Sequence, residues 1–143
     1  MNVAIIGSGS WATALAKIVM HNATDINWYI RKQETIDEFI EIRRNPNHLE
    51  WAYFDVSRIH FSADINAVIE QSDLLVLAVP SPYLKQSLND IKVDMSNKMV
   101  ISAVKGMIPD ENLLVTEYMH QYFQVPKENL GVIAGPCHAE EIA

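Results

Sequence analysis

Cysteine is almost absent from this chain. Cys137 is the only one in 143 residues, so no internal disulfide can form and a reducing compartment fits. Basic residues are few as well. Eleven Lys and Arg stand against 18 Asp and Glu, giving a net charge of −7, and the basic pairs are Arg31-Lys32 and Arg43-Arg44 alone. That balance argues against a nucleic-acid binder held by phosphate contacts. Metal-ligand spacing is missing too. The histidines at positions 21, 48, 60, 120 and 138 pair neither with one another nor with Cys137, apart from the adjacent Cys137-His138, and no metal site is expected. The apolar run after Met1 stops at Gly7, too short for a signal peptide or a membrane span. There is no Gly-x-Ser-x-Gly elbow and no Ser/His/Asp order, so nothing points to nucleophilic catalysis.

What is present is a core. Hydrophobic residues make up 49 % and charged residues 20 %, which suits one domain spanning residues 1–143 rather than a disordered tail. Apolar runs alternate with segments of helical period. Val3–Ile6 reads as a buried strand, and Trp11, Ala14, Leu15, Ile18 and Val19 then mark one helix face. Ile26–Ile30 is a second strand. Ile36, Phe39 and Ile40 form a second helical stripe that ends before Asn45-Pro46, and Asn45 to Val56 reads as a loop. Ile59–Phe61 is a weak third strand, followed by a short helix capped by Asp64. Leu74–Val79 is the strongest strand signal, without the alternation of a half-exposed strand. Pro80 ends it, Ser81 can cap a helix and Pro82 suits a first turn. Met99–Val104 and Gly131–Ala134 are further strands, with a helix from Leu113 to Tyr122 between them. Strands separated by helices need crossovers, and right-handed crossovers predict an α/β, doubly wound parallel sheet with helices on both faces.

The first strand-to-helix turn reads Gly7-x-Gly9-x-x-Ala12. Gly7 permits a sharp turn, Gly9 lets a pyrophosphate approach the backbone, and Ala12 lets helix and strand pack closely. Free N–H groups at the helix start would face the anion. The alternative is a tight turn built of small residues. Sites for NAD usually place an acid at the end of the second strand. This chain has Arg31 and Lys32 there, which suit a 2′-phosphate, so NADP is expected to be accepted as well as NAD.

Ligands in such sheets sit beyond the carboxyl ends of the strands. That rule selects Val79–Tyr83, Ser102–Met107 and Ala134–Glu141. Lys105 follows an apolar strand directly, where its ammonium could meet a phosphate or polarise a carbonyl, and Gly106 favours close approach. Gly135 offers an unshielded N–H. Cys137 would begin a helix, which could lower its thiol pKa, although a small packed side chain is the simpler reading. The last residues, His138 to Ala143, read as the first turn of that helix.

Taken together, "IIGSGSWATALA", "NPNHL", "AVPS", "SAVKG" and "GPCHAEEIA" resemble, in order and spacing, the NAD(P)-dependent glycerol-3-phosphate dehydrogenases of the bacterial type, over essentially the whole chain. The resemblance implies reversible reduction of dihydroxyacetone phosphate to sn-glycerol 3-phosphate, feeding phospholipid synthesis, in a cytoplasmic and usually dimeric enzyme. It implies that Ser10, Trp11, Arg31, Lys32, His48, Lys105 and Ala139 contact the cofactor and that Lys105, Gly135 and Cys137 contact the substrate. Two positions depart from the family: Ala12 replaces a usual glycine, and Cys137 replaces a usual Ser or Thr with a weaker hydrogen-bonding group. Family members are more than twice this length and carry their catalytic lysine in a C-terminal helical domain. The chain is therefore expected to be the Rossmann-like cofactor domain of a longer two-domain enzyme, cut at Ala143 inside the helix that leads to the second domain. The catalytic lysine is expected beyond Ala143, so the chain has no catalytic residue of its own, and apolar surface is expected to be exposed where the helical domain would lie. The competing readings are a related hydroxyacid or hydroxyacyl dehydrogenase, and a nucleotide-sensing module without catalysis.

Overall fold

A computed structural model of the chain describes residues 1–22, 25–104 and 106–133. Strand β1 (Val3–Ile6) leads into helix α1 (Ser10–Asn22), β2 (Ile26–Tyr29) into α2 (Gln33–Ile42), β3 (Ile59–Ser62) into α3 (Ile65–Glu70), and β4 (Leu74–Leu77) into α4 (Ser81–Asn89). After β5 (Met99–Ser102) come the short strands β6 (Met107–Ile108) and β7 (Leu113–Leu114), helix α5 (Val115–Phe123) and β8 (Leu130–Val132). Six strands form one sheet in the order β3-β2-β1-β4-β5-β8, and every neighbouring pair is parallel. The chain leaves β1 toward one edge and returns beside it with β4. The strand order therefore reverses between β1 and β4, which opens a crevice at their carboxyl ends.

Both faces of the sheet are covered, and the two-residue period of the strands divides the core. Ala4, Ile6, Leu75 and Leu77 pack with Ile65, Val68 and Ile69 of α3, Leu84 and Leu88 of α4, and Tyr118 and Met119 of α5. Ile5, Val76 and Ala78 pack with α1 and α2 on the other side. On that second face Trp28 is fully buried, with ring centroids 5.2 Å from Phe39, 5.6 Å from Phe54 and 5.7 Å from Phe61. A buried indole N–H needs a partner. That of Trp28 donates to the Gly7 carbonyl at 2.7 Å, tying the aromatic cluster to the first turn.

Several local readings of the sequence need correction. Ile18 and Ile40, assigned to core-facing stripes, are exposed. The buried side of α1 is instead Ala12, Thr13, Ala14, Leu15, Ala16 and Met20, because small residues let the helix lie close to the sheet. Helix α5 begins at Val115. Leu113 and Leu114 pair antiparallel with Ile108 and Met107, a hairpin too short to carry a period, turned by left-handed residues at Asp110 and Asn112. Pro80, not Ser81, occupies the cap position of α4, without a side-chain bond. Asp64 does cap α3, accepting from the Asn66 N–H at 3.0 Å. The helical turn expected from His138 to Ala143 lies outside the described residues.

Candidate functional site

The crevice is a cleft of about 460 Å³ at the carboxyl ends of β1, β2 and β4. Gly7, Ser8 and Gly9 form its floor, Tyr29 and Arg31 come from the end of β2, and Val79, Pro80, Tyr83, Gln86, Ser87 and Asp90 come from the end of β4 and from α4. His48 reaches it from the loop after α2.

The two glycines of the first turn do different jobs. Gly7 has φ +129°, and a Cβ there would meet the Ala78 carbonyl oxygen at 2.7 Å. It is the residue that lets β1 leave the sheet against β4. Around a Cβ built on Gly9 nothing lies within 4 Å, so that position opens into free space on the cleft floor. Helix α1 starts directly after it, and its first N–H groups precede any intrahelical acceptor. Thr13 is the first to bond back, through both N–H (3.0 Å) and hydroxyl (2.8 Å) to the Gly9 carbonyl. An open backbone, free N–H donors and no acid in the first turn suit an anion at this point. The donor set fits the pyrophosphate of a dinucleotide.

The loop that carries His48 is held by Asn45, which opens the "NPNHL" stretch. Asn45 is completely buried and donates from Nδ2 to the Ser8 carbonyl and to the Thr13 hydroxyl, both at 2.9 Å, while its Oδ1 accepts from the Asn47 N–H at 2.9 Å. The loop is thereby pinned onto the glycine turn. His48 Nδ1 and the Ser10 hydroxyl then share a hydrogen bond of 3.0 Å. Tyr29 lines the cleft with Arg31, and burial first, then the Asp90 carboxylate, push its hydroxyl above the usual tyrosine range, with Arg31 opposing. The phenol stays protonated and available as a donor.

Of the residues singled out from sequence, Gly7, Gly9, Arg31 and His48 line this cleft, and Ser10 joins it through His48. Trp11 packs against the core of the α1 and α2 face, and Lys32 is exposed at the start of α2; neither lines the cleft. Lys105, Gly135, Cys137, Ala139 and Ala143 lie outside the described residues. Val79, Pro80 and Tyr83 belong to the turn selected from sequence, whereas Tyr29, Gln86, Ser87 and Asp90 were not foreseen. The rule that ligands sit beyond the strand ends pointed to Val79–Tyr83, but the register of α4 along the cleft is a tertiary fact. Among the described residues no group of three or more His, Cys, Asp or Glu could hold a metal ion, and no helix is long and apolar enough to cross a membrane.

A parallel sheet with this strand order and a Gly-x-Gly turn at its reversal defines a Rossmann-type dinucleotide-binding fold. A family model described as the N-terminus of NAD-dependent glycerol-3-phosphate dehydrogenase matches residues 2–143, and the chain belongs to that family. A curated glycerol-3-phosphate dehydrogenase (NAD(P)+) of Psychrobacter arcticus is 27% identical over 142 residues, covering 99% of this chain and 32% of its own length. One from Bacillus pumilus is 30% identical over 144 residues, covering 98% of this chain and 41% of its own. A solved glycerol-3-phosphate dehydrogenase of Plasmodium falciparum superposes with a TM-score of 0.83 at 27% identity, covering 99% of this chain and 42% of that one. The Coxiella burnetii structure shares the fold with a TM-score of 0.80. This chain thus spans less than half the length of these relatives.

Proposed function

We propose that this chain is the cofactor-binding part of an NAD(P)-dependent glycerol-3-phosphate dehydrogenase that interconverts dihydroxyacetone phosphate and sn-glycerol 3-phosphate. The observation that carries the reading is the floor of the cleft: Gly9 leaves open space where a pyrophosphate would approach, at the strand-order reversal of a chain that matches this family from residue 2 to 143. When bound, the dinucleotide supplies the hydride that reduces the ketone. The chain's own residues bind and orient it. The α1 N-terminus takes the pyrophosphate, Arg31 and Lys32 serve the adenosine ribose or its 2′-phosphate, and Ser10 and His48 hold the floor from the side of the Asn45 loop. Trp11 and Ala139 are further cofactor contacts in this reading. Lys105, Gly135 and Cys137 serve the substrate.

In the same reading a C-terminal helical domain beyond Ala143 supplies the catalytic lysine, and the whole enzyme is a cytoplasmic homodimer that feeds phospholipid synthesis. Relatives of more than twice this length support a second domain, and exposed Met107, Leu114 and Val132 support a covering partner on the β5–β8 side. The test is direct. The chain is titrated with NADPH and NADH, then assayed for NADPH oxidation on addition of dihydroxyacetone phosphate. Binding without turnover is expected, and turnover by this chain alone would refute the division of labour. A chain completed to the length of its relatives is expected to turn over. Silence there, with cofactor still bound, would move the function to another carbonyl substrate.

A further inference from the structure

Arg31 stands at the end of β2, so the acid that commonly meets the adenosine ribose from that position is absent. An acid nevertheless reaches the same cleft from another element. Asp90 closes α4, and its main chain is held on both sides. Its N–H bonds back to the Leu88 and Ser87 carbonyls, and its own carbonyl accepts from Asn66 Nδ2 at 3.0 Å. Asn66 Oδ1 in turn accepts from the Lys92 N–H at 2.7 Å. These bonds involve only the backbone of Asp90. Its carboxylate makes no hydrogen bond or ion pair with a described residue, and it lines the cleft with Tyr29, Arg31, Gln86 and Ser87. Arg31 likewise makes no ion pair with a described residue. The fields of both charges reach the Tyr29 hydroxyl, with opposite effects. One cleft therefore holds a cation and an anion that no described residue pairs, brought there by β2 and α4.

We propose that Asp90 sets the cofactor preference of this site: its carboxylate accepts hydrogen bonds from the neutral donors of the adenosine and opposes the 2′-phosphate that Arg31 attracts. The inference rests on the dinucleotide reading above and deepens it. With both groups present the site takes NADH and NADPH alike. Without the acid, the cation at the end of β2 acts alone and the phosphate is favoured.

The experiment is calorimetric titration of the chain with NADH and with NADPH, for the unsubstituted protein, Asp90→Asn and Asp90→Ser. Asp90 is exposed, so both variants keep the fold, which circular dichroism verifies. The expected result is an NADPH-to-NADH affinity ratio raised about three- to tenfold in both variants, with the gain shrinking as salt is added. Asp25→Asn removes the same unit of charge beside the amino end of β2, away from the cleft, and is expected to leave the ratio unchanged. An unchanged ratio in the Asp90 variants, or an equal rise in Asp25→Asn, overturns this inference and leaves the cofactor reading standing. Failure of the unsubstituted chain to bind either dinucleotide overturns both.

Discussion

A methyl group at Gly7 would meet the Ala78 carbonyl oxygen at 2.7 Å on a backbone with φ +129°, whereas one at Gly9 would meet nothing within 4 Å. The two glycines therefore predict opposite phenotypes. Gly7→Ala should lose about 1–3 kcal/mol from the backbone conformation alone, before the clash, and urea denaturation will read it. Gly9→Ala should unfold within about 0.5 kcal/mol of the parent chain. Its dinucleotide affinity should fall about tenfold, because the methyl occupies the space the ligand needs and overpacking of this kind costs about 1–3 kcal/mol. Asn45 belongs to the same scale. Asn45→Ala leaves the Ser8 carbonyl and the Thr13 hydroxyl without their buried donor, and should cost about 1–3 kcal/mol of stability while freeing His48 from Ser10. Denaturation and the histidine NMR signals check the two effects separately.

At the scale of elements, helix α4 is the piece that gives the site its second wall. It is buried on one side through Leu84 and Leu88 and presents Tyr83, Gln86, Ser87 and Asp90 to the cleft. The β6–β7 hairpin steadies its flank through Lys85, whose ammonium donates to Glu111 at 2.7 Å, while Glu111 also accepts from the Tyr122 hydroxyl at 3.3 Å. The hydrogen bond from Lys85 holds the Glu111 carboxyl below its usual range, with a smaller contribution from Tyr122. A carboxyl whose folded pKa is depressed stabilises the fold above its unfolded pKa and stops doing so as pH falls through the folded value. The melting temperature of Glu111→Gln should therefore lie below that of the parent chain near neutral pH. The gap should narrow as pH drops below about 4.3, the ordinary range for a glutamate. A gap that stayed constant through the acid limb would show that the pair contributes nothing through charge.

For the whole molecule, the net charge of −7 disfavours an anionic ligand at long range, so attraction must be local, at the α1 N-terminus and Arg31. Binding must also stabilise the fold by mass action. At a cofactor concentration of 100 times Kd the gain is about 2.7 kcal/mol. For a chain of this size the melting temperature should rise by about 5–15 °C in differential scanning fluorimetry. No rise with either NADH or NADPH would count against the cofactor reading.

The alternation of strands and helices, the parallel sheet and the position of the glycine turn were legible in the residues alone. Each of these rests on short-range physics: unbroken apolar runs such as Leu74–Leu77, the helical spacing of Ile65, Val68 and Ile69, and residue types that alone tolerate a backbone such as that of Gly7. Packing decided which further side chains join Gly7, Gly9, Arg31 and His48 in the cleft. Asn45 was one loop residue among many until burial obliged its amide to find the Ser8 carbonyl and the Thr13 hydroxyl. Asp90 and Arg31 are far apart in the chain, and they line one cleft because the return from β3 places β4 beside β1 and starts α4 at the strand-order reversal. Periodicity reports which face of an element is apolar. Only packing fixes which faces of distant elements come together, because that choice is made by the shape and charge of partners that local spacing does not encode.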